Sequence, residues 1–335
     1  MNESGRFNQF IDATGGKFVP AEFAEAKLDS VSRLLASSYN SRITLNNIDE
    51  FILSKIKSRF QQGKYSKISV LCGGGVDSNY LLLLIAKYFP LVELEAVCGL
   101  TKSNSEDLKS TKIICKKYNV KYVEVTISKS ELEKSLSEFF TKKNRLPNDV
   151  AAPIINVLIN KAKSDSDNVL VIDGQYADTT LFANPQNTFF RLSKWLGLFN
   201  FRSKNKLDTN AFLKFSYYLK LLFSRTENKI FELCRLEYSE KIMLYISEQL
   251  RNYDRELVMQ AIFFKVLIEF REKDKYLLSE DVYSPFYSDD LFLASYDQNT
   301  SVFDLRDKKK YLRNFVRINC PEAVKHMKSR TFESE

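Results

Sequence analysis

Apolar positions along this chain switch repeatedly between two spacings. Ile68–Cys72, Leu94–Leu100, Val120–Ile127 and Val169–Ile172 are short runs rich in apolar and β-branched residues, which predict strands. Between them the spacing widens to three and four: LLLLIAKYF over 81–89, SEDLKSTKIICKKY over 105–118, SELEKSLSEFF over 130–140 and APIINVLINKA over 152–162 predict helices. Ahead of the first strand, Ile48, Phe51, Ile52 and Ile56 recur at helical spacing. Strands alternating with helices predict an α/β fold in which a parallel sheet is sandwiched by helices. Residues 1–42 read as an irregular extension with a turn at Gly15–Gly16 and one short helix in FAEAKLDSVSRLLASSY. The chain then divides into an α/β domain over 43–188 and a helical C-terminal part over 189–335. The aromatics between Phe189 and Lys275 are expected mostly in a core.

The first strand runs into Gly73, Gly74 and Gly75, followed by Val76, Asp77, Ser78 and a long apolar helix. Three successive glycines favour neither strand nor helix. Strand, glycine turn and helix together aim backbone N–H groups and a helix N-terminus at one small volume, an arrangement that binds phosphate. Open parallel sheets take their ligands past the carboxyl ends of the strands, where this loop falls. The Lys-Ser/Thr pair of a Walker loop is absent, and so is the G-x-G-x-x-G of a dinucleotide loop. Asp77 stays open to two readings at this point: a ligand in a phosphate site, or a cap on the helix.

Composition narrows the classes. With 335 residues, 44% of them hydrophobic, the chain can bury one large core or two smaller ones. The net charge of +8, from 50 basic against 42 acidic residues, suits a polyanion such as ATP and is compatible with nucleic acid. No run of ~18 apolar residues marks a membrane span, and MNESGRFNQF lacks the plan of a signal peptide, so a cytoplasmic protein with no membrane partner is expected. Cys72, Cys98, Cys115, Cys234 and Cys320 form no close pair and are expected as buried free thiols. His326 is the only histidine, which argues against a Ser-His-Asp triad or a multi-histidine metal site.

The loop GGGVDS resembles the PP-loop, S-G-G-x-D-S, of the ATP pyrophosphatases, with Gly73 in place of the leading serine. A second stretch, Asp173-Gly174-Gln175-Tyr176-Ala177-Asp178-Thr179-Thr180-Leu181-Phe182, follows the fourth strand. It resembles the G-E-G-x-D-E-x-F segment of the synthetase domain of asparagine synthetase. Ser284-Pro285-Phe286-Tyr287-Ser288-Asp289-Asp290-Leu291 resembles that family's R-x-P-F-L-D-x-x-L. Lys310-Tyr311-Leu312-Arg313, Pro321 to Val324, and Lys328 to Phe332 resemble its K-x-x-L-R, P-x-x-v and terminal K-x-G-F. The four elements keep the family's order and rough spacing from about residue 43 to 333.

This resemblance implies a PP-loop, Rossmann-like (HUP) fold and an ATP-dependent, AMP-forming ligase or amidotransferase. In that family a substrate carboxylate attacks the α-phosphate of ATP, pyrophosphate leaves, and ammonia or another amine displaces AMP to give an amide. The resemblance implies ATP and Mg²⁺ as cofactors, with Asp77 and Asp178 as the metal ligands. Cys72, Gly73, Gly74, Gly75, Val76 and Ser78 would surround the pyrophosphate, Val97 and Gly99 would offer backbone to the adenine, and Gly174 and Lys310 would complete the nucleotide site. Gln175, Tyr176 and Lys328 occupy the catalytic neighbourhood.

Several positions depart from the family. Gln175 replaces a glutamate, and an amide cannot act as a base. Tyr176 replaces the second glycine, Thr179 the next acidic residue, and Ser288 the aspartate, with Asp289 adjoining. Counting back from Phe332, Ser329 stands at the catalytic lysine, with Lys328 one residue early. Asn2 stands where a glutaminase domain would carry its cysteine, so ammonia or an amine is expected free or from a partner glutaminase. A nucleic-acid partner is not expected. Two alternatives remain open: a non-catalytic nucleotide-binding protein, favoured by the same substitutions, and a PP-loop enzyme acting on tRNA or a nucleobase. Asp178 is equally open to reading as a helix N-cap.

Overall fold

The computed structural model describes residues 9–11, 18–37, 47–100, 105–143, 151–165, 168–181, 257, 261, 264–265, 281–299 and 309–327. The chain forms two compact units, one made of residues 1–41 with 184–270, the other of 42–183 with 271–335. In the first, β1 (Gln9–Ile11) pairs antiparallel with β2 (Phe18–Pro20), and α1 (Ala21–Ser37) follows directly. The extension therefore holds a strand pair as well as the expected helix, while Gly15 and Gly16 lie outside the described residues. So does the aromatic-rich stretch after Phe189, apart from four positions; of these Leu257, Ala261 and Phe264 are buried apolar residues.

The second unit is built on a five-stranded parallel sheet. In chain order it comprises α2 (Ile48–Gln62), β3 (Lys67–Cys72), α3 (Val76–Tyr88), β4 (Glu93–Leu100), α4 (Ser105–Tyr118) and β5 (Lys121–Thr126). Then come α5 (Lys129–Lys143), α6 (Ala152–Ala162), β6 (Val169–Ile172), α7 (Ala177–Thr180) and β7 (Val282–Tyr283). The last helices are α8 (Asp289–Asn299), α9 (Lys310–Asn319) and α10 (Pro321–Val324). The strand order is β5-β4-β3-β6-β7, all neighbours parallel. After β3 the chain steps outward through β4 to β5, then returns to place β6 on the other side of β3. The order in which strands are added thus reverses between β3 and β6, and such a switch point opens a crevice beyond the strand ends.

One face of the sheet presents Leu71, Val97, Val125, Val169 and Val171 to Ile155, Leu158 and Ile159 of α6. α3 and α4 contact strands of the same sheet, α9 packs on α3, and α10 packs on α4. The docking of α9 is aromatic: Phe315 meets Tyr80 edge-on, with centroids 5.0 Å apart. β7 has only two residues, yet it closes the β6 edge through Val171 N–H to the Asp281 carbonyl (3.0 Å) and Asp173 N–H to the Tyr283 carbonyl (3.3 Å). Among the described residues no helix is long and apolar enough to cross a membrane.

β3 is buried along its whole length, including two polar positions. Lys67 forms a 2.7 Å ion pair with Glu95 in the neighbouring strand, and the Ser69 hydroxyl donates to the same carboxylate (2.6 Å). Removing one member of such a pair strands a charge in a dry environment, whereas replacing both with apolar residues does not. Glu95→Leu is expected to destabilise the protein by ~3 kcal/mol in urea unfolding, and Lys67→Met with Glu95→Leu to recover most of that loss.

Candidate functional site

The glycine turn at the end of β3 is shaped by sterics. Gly74 has φ +84°, and a Cβ there would lie 2.4 Å from the backbone of Asp107, so only glycine fits. Three buried side chains fix the turn from behind. Asn79 donates through Nδ2 to the Gly74 carbonyl (2.9 Å) and to the Ser110 hydroxyl (2.7 Å). Ser110 in turn donates to the Asp107 carbonyl (2.5 Å), and Thr111 donates to Asn79 Oδ1 (2.8 Å). α3 and α4 are thereby tied to the loop that precedes α3.

Gly75 is the N-cap of α3 and offers no side chain to its first-turn N–H groups. A Cβ on Gly75 would meet nothing within 4 Å, so packing does not ask for glycine there; a closely approaching ligand would. The N–H groups of Val76, Asp77 and Ser78 belong to this first turn, where backbone donors and the helix dipole favour an anion.

The turn after β6 meets this loop at contact distance. A Cβ on Gly174 would lie 2.9 Å from Asp77 Cβ and 3.0 Å from the Ser78 nitrogen, so glycine is what lets the two strand ends converge. Buried Asp173 braces the turn by accepting from Gln175 N–H (3.2 Å) and from the Ser284 hydroxyl (2.6 Å). The Thr180 hydroxyl donates to the Phe286 carbonyl (2.8 Å), joining α7 to the segment after β7. Ser288, where the resembled family has aspartate, opens α8: its carbonyl accepts from Phe292 N–H (3.0 Å).

At this junction Lys309 joins two carboxylates. Its ammonium lies 2.5 Å from Asp77 Oδ2 and 2.8 Å from Asp178 Oδ1. Lys309 is 11% exposed, Asp77 20% and Asp178 46%, so the cluster grades from the interior toward solvent. Burial pushes the Asp77 carboxyl up to about 6; Lys309 opposes that shift and the neighbouring Asp178 charge adds to it. Burial alone would lower the Lys309 pKa, but the two carboxylates outweigh it and hold the ammonium above its ordinary value.

Asp77 Oδ1 is buried without a hydrogen-bond partner, an orphaned acceptor beside a second carboxylate. Among the described residues no three acidic, cysteine or histidine side chains gather. Mg²⁺ suits such a set, because it takes one or two carboxylates and fills its remaining positions with phosphate oxygens and water.

The other expected site residues distribute as follows. Cys72 is buried opposite Cys98 on β4, and burial raises its thiol pKa well above the usual range, so its side chain belongs to the core. Cys98, Cys115 and Cys320 are likewise buried free thiols, while Cys234 lies outside the described residues. The Val97 side chain is core, and a Cβ on Gly99 would press on Leu158 at 3.2 Å, so packing alone accounts for that glycine. Gln175 and Tyr176 stand in the turn before Asp178. Lys310 is exposed at the start of α9, one residue beyond the lysine that reaches the carboxylates. Lys328 lies outside the described residues.

Reasoning from the sequence missed Lys309 and the Asn79–Ser110–Thr111 brace. The signal for Lys309 was present: counting K-x-x-L-R back from Leu312 and Arg313 falls on Lys309, not Lys310.

No family model and no curated protein matches this chain. Among solved structures it is similar to an NH3-dependent NAD synthetase from Campylobacter jejuni subsp. jejuni NCTC 11168 in complex with the nitrate ion. That match has 17% identity, spans 70% of this chain and 96% of the other, and has a TM-score of 0.33. It is also similar to an NMN synthetase from Francisella tularensis, at 12% identity over 70% of this chain and 97% of the other, with a TM-score of 0.34. Likenesses this slight leave the chemistry to be argued from the residues.

Two outcomes test this geometry. Asn79→Leu leaves the Gly74 carbonyl with the Ser110 hydroxyl alone and strands the buried Thr111 hydroxyl; it is expected to cost ~1–3 kcal/mol in chemical denaturation. The second concerns pH. Because the folded pKa of Asp77 is raised from 3.8 to about 6, its contribution to stability is fully present below about pH 4 and is lost as pH rises through 6. Between pH 4.5 and 7 this one group is expected to remove ~2 kcal/mol from unfolding free energy, a decline that urea titrations of Asp77→Asn should lack.

Proposed function

We propose that this protein is an ATP-dependent, AMP-forming ligase of the asparagine-synthetase type, adenylating a small-molecule carboxylate and passing the acyl group to ammonia or another amine. One observation carries the proposal: Asp77 and Asp178, from the ends of adjacent parallel strands, converge on Lys309 beside a glycine loop and an uncapped helix N-terminus. A triphosphate needs that combination of backbone donors, a cation and metal-holding carboxylates in one place.

The roles follow from the groups present. The first-turn N–H groups of α3 and the Lys309 ammonium bind the β and γ phosphates, the part that departs as pyrophosphate. Asp77 and Asp178 would hold Mg²⁺, which neutralises charge on the phosphates during the displacement. At neutral pH Asp77 is mostly ionised, and a divalent cation beside it would keep it so when the phosphates arrive. Lys309 turns part of its charge from the carboxylates to the incoming anion. An oxygen of the substrate carboxylate attacks the α-phosphorus, the bond to the bridging oxygen breaks, and an acyl-adenylate and pyrophosphate result. Gln175 can hold the acyl-adenylate by hydrogen bonds but cannot remove a proton, so the amine must reach the site as its free base. It comes from solution or from a partner glutaminase.

A second reading, a nucleotide-binding protein without turnover, draws on the same Gln175. ATP–pyrophosphate exchange with Mg²⁺ across a panel of carboxylic acids separates the two. Acid-dependent exchange is expected, reduced at least ~100-fold in Asp77→Ala and in Lys309→Ala. ATP binding with no exchange for any acid would leave only the second reading standing.

A further inference from the structure

Tyr176 occupies a conformation that a side chain normally avoids. Its φ is +68°, in the left-handed region, at a position where the resembled motif has glycine. The turn needs only the backbone here: the Tyr176 carbonyl accepts from Thr179 N–H (3.0 Å) and Thr180 N–H (2.8 Å). The hydrogen-bond pattern alone would accept glycine, so it is the packing of the ring, which is only 9% exposed, that holds a tyrosine in this strained conformation.

The ring has a definite place. It lies against Tyr287, with centroids 4.7 Å apart and an interplanar angle of 48°. Tyr287 is itself 38% exposed, an unusual degree for a large ring at the end of a sheet core. The backbone on either side of the pair is held by hydrogen bonds. Tyr287 N–H donates to the Ser284 carbonyl (3.0 Å), and the adjoining Phe286 is fully buried with its carbonyl held by Thr180. Asp173 ties the two turns together through Gln175 N–H and the Ser284 hydroxyl. Tyr176 is the N-cap of the short helix that carries Asp178, two residues on. A strained residue over-determined by its surroundings at a strand's carboxyl end is the pattern of a ligand-contacting position.

We infer that Tyr176 and Tyr287 form an aromatic platform that selects the acid to be adenylated, and that this acid carries a planar aromatic or heteroaromatic ring close to its carboxylate. The inference rests on the ligase reading above. A flat ring laid against the exposed Tyr287 face gains offset or edge-to-face contact that an aliphatic ring of similar size cannot reproduce. The reaction it serves is balanced as before: a carboxylate oxygen forms the bond to the α-phosphorus, and pyrophosphate leaves.

The test uses the full chain and has two independent readouts. Saturation-transfer NMR measures binding of nicotinate, 4-hydroxybenzoate and indole-3-acetate against cyclohexanecarboxylate, and ATP–pyrophosphate exchange measures KM for the same acids and for ATP. The aromatic acids are expected to bind on the order of tenfold more tightly than cyclohexanecarboxylate, a preference abolished in Tyr287→Leu. Tyr176→Leu, which keeps much of the volume of a ring that is only 9% exposed, is expected to lose most of it as well. Aromatic acids that bind through Tyr287 without supporting exchange would uphold the platform and sink the ligase reading. Exchange with aliphatic acids that Tyr287→Leu leaves unchanged would do the reverse. Equal binding of all four acids, absence of binding by any, or a Tyr287→Leu effect confined to the KM of ATP would overturn the inference.

Discussion

Two carboxylates brought to the ends of neighbouring strands repel each other, and burying one of them adds the cost of losing water. Asp77 and Asp178 stand together because the Lys309 ammonium lies between them. Lys309 comes from the far end of the chain, 232 positions after Asp77, at the start of the helix that packs on α3. The sheet supplies the crevice, but the charge balance that makes it habitable arrives only with α9. Formation of the site and docking of the C-terminal segment are therefore one event, held on the apolar side by Tyr80 and Phe315 and on the polar side by one ammonium.

On the proposed reading, the same cluster would admit a polyanion together with a divalent cation. Alone, the lysine is committed to two carboxylates and Asp77 sits near the pH at which it gains a proton. A bound phosphate offers the lysine a new partner, and a divalent cation offers the carboxylates one. Each exchange makes the other easier, so nucleotide and metal should bind together more readily than either does alone.

Most of the framework was legible because it depends on local pattern. The four long strands are apolar runs bounded by polar or glycine residues, and α4 and α6 fall where their spacing put them. β7 could not be read, since two residues carry no period and its place is set by pairing with β6. Within the site, the glycine loop was legible from residue type, and the two aspartates were singled out by the resemblance of their motifs. Lys309 was not separated from Lys310, because in a run of lysines the side that faces inward is decided by the docking of α9. Asn79 was hidden for a different reason: within an apolar helix it looks like a surface residue, and only the fold reveals a buried amide serving the turn before it. The strain at Tyr176 had a trace in the sequence, a large residue where the resembled motif keeps glycine, but its cause is a backbone angle.

The Asn79–Ser110–Thr111 brace has a consequence for the thermodynamics of ligand capture. A glycine-rich loop normally holds much conformational freedom, which a ligand must remove when it binds. Here that freedom is already gone, because three buried side chains fix the Gly74 carbonyl when the domain folds. The entropy loss is charged to folding rather than to binding, so on the proposed reading a phosphate would meet a template already in shape. That template is shared between α3, which supplies Asn79, and α4, which supplies Ser110 and Thr111. On the proposed reading, a disturbance of α4 would weaken phosphate binding through the shape of the loop alone.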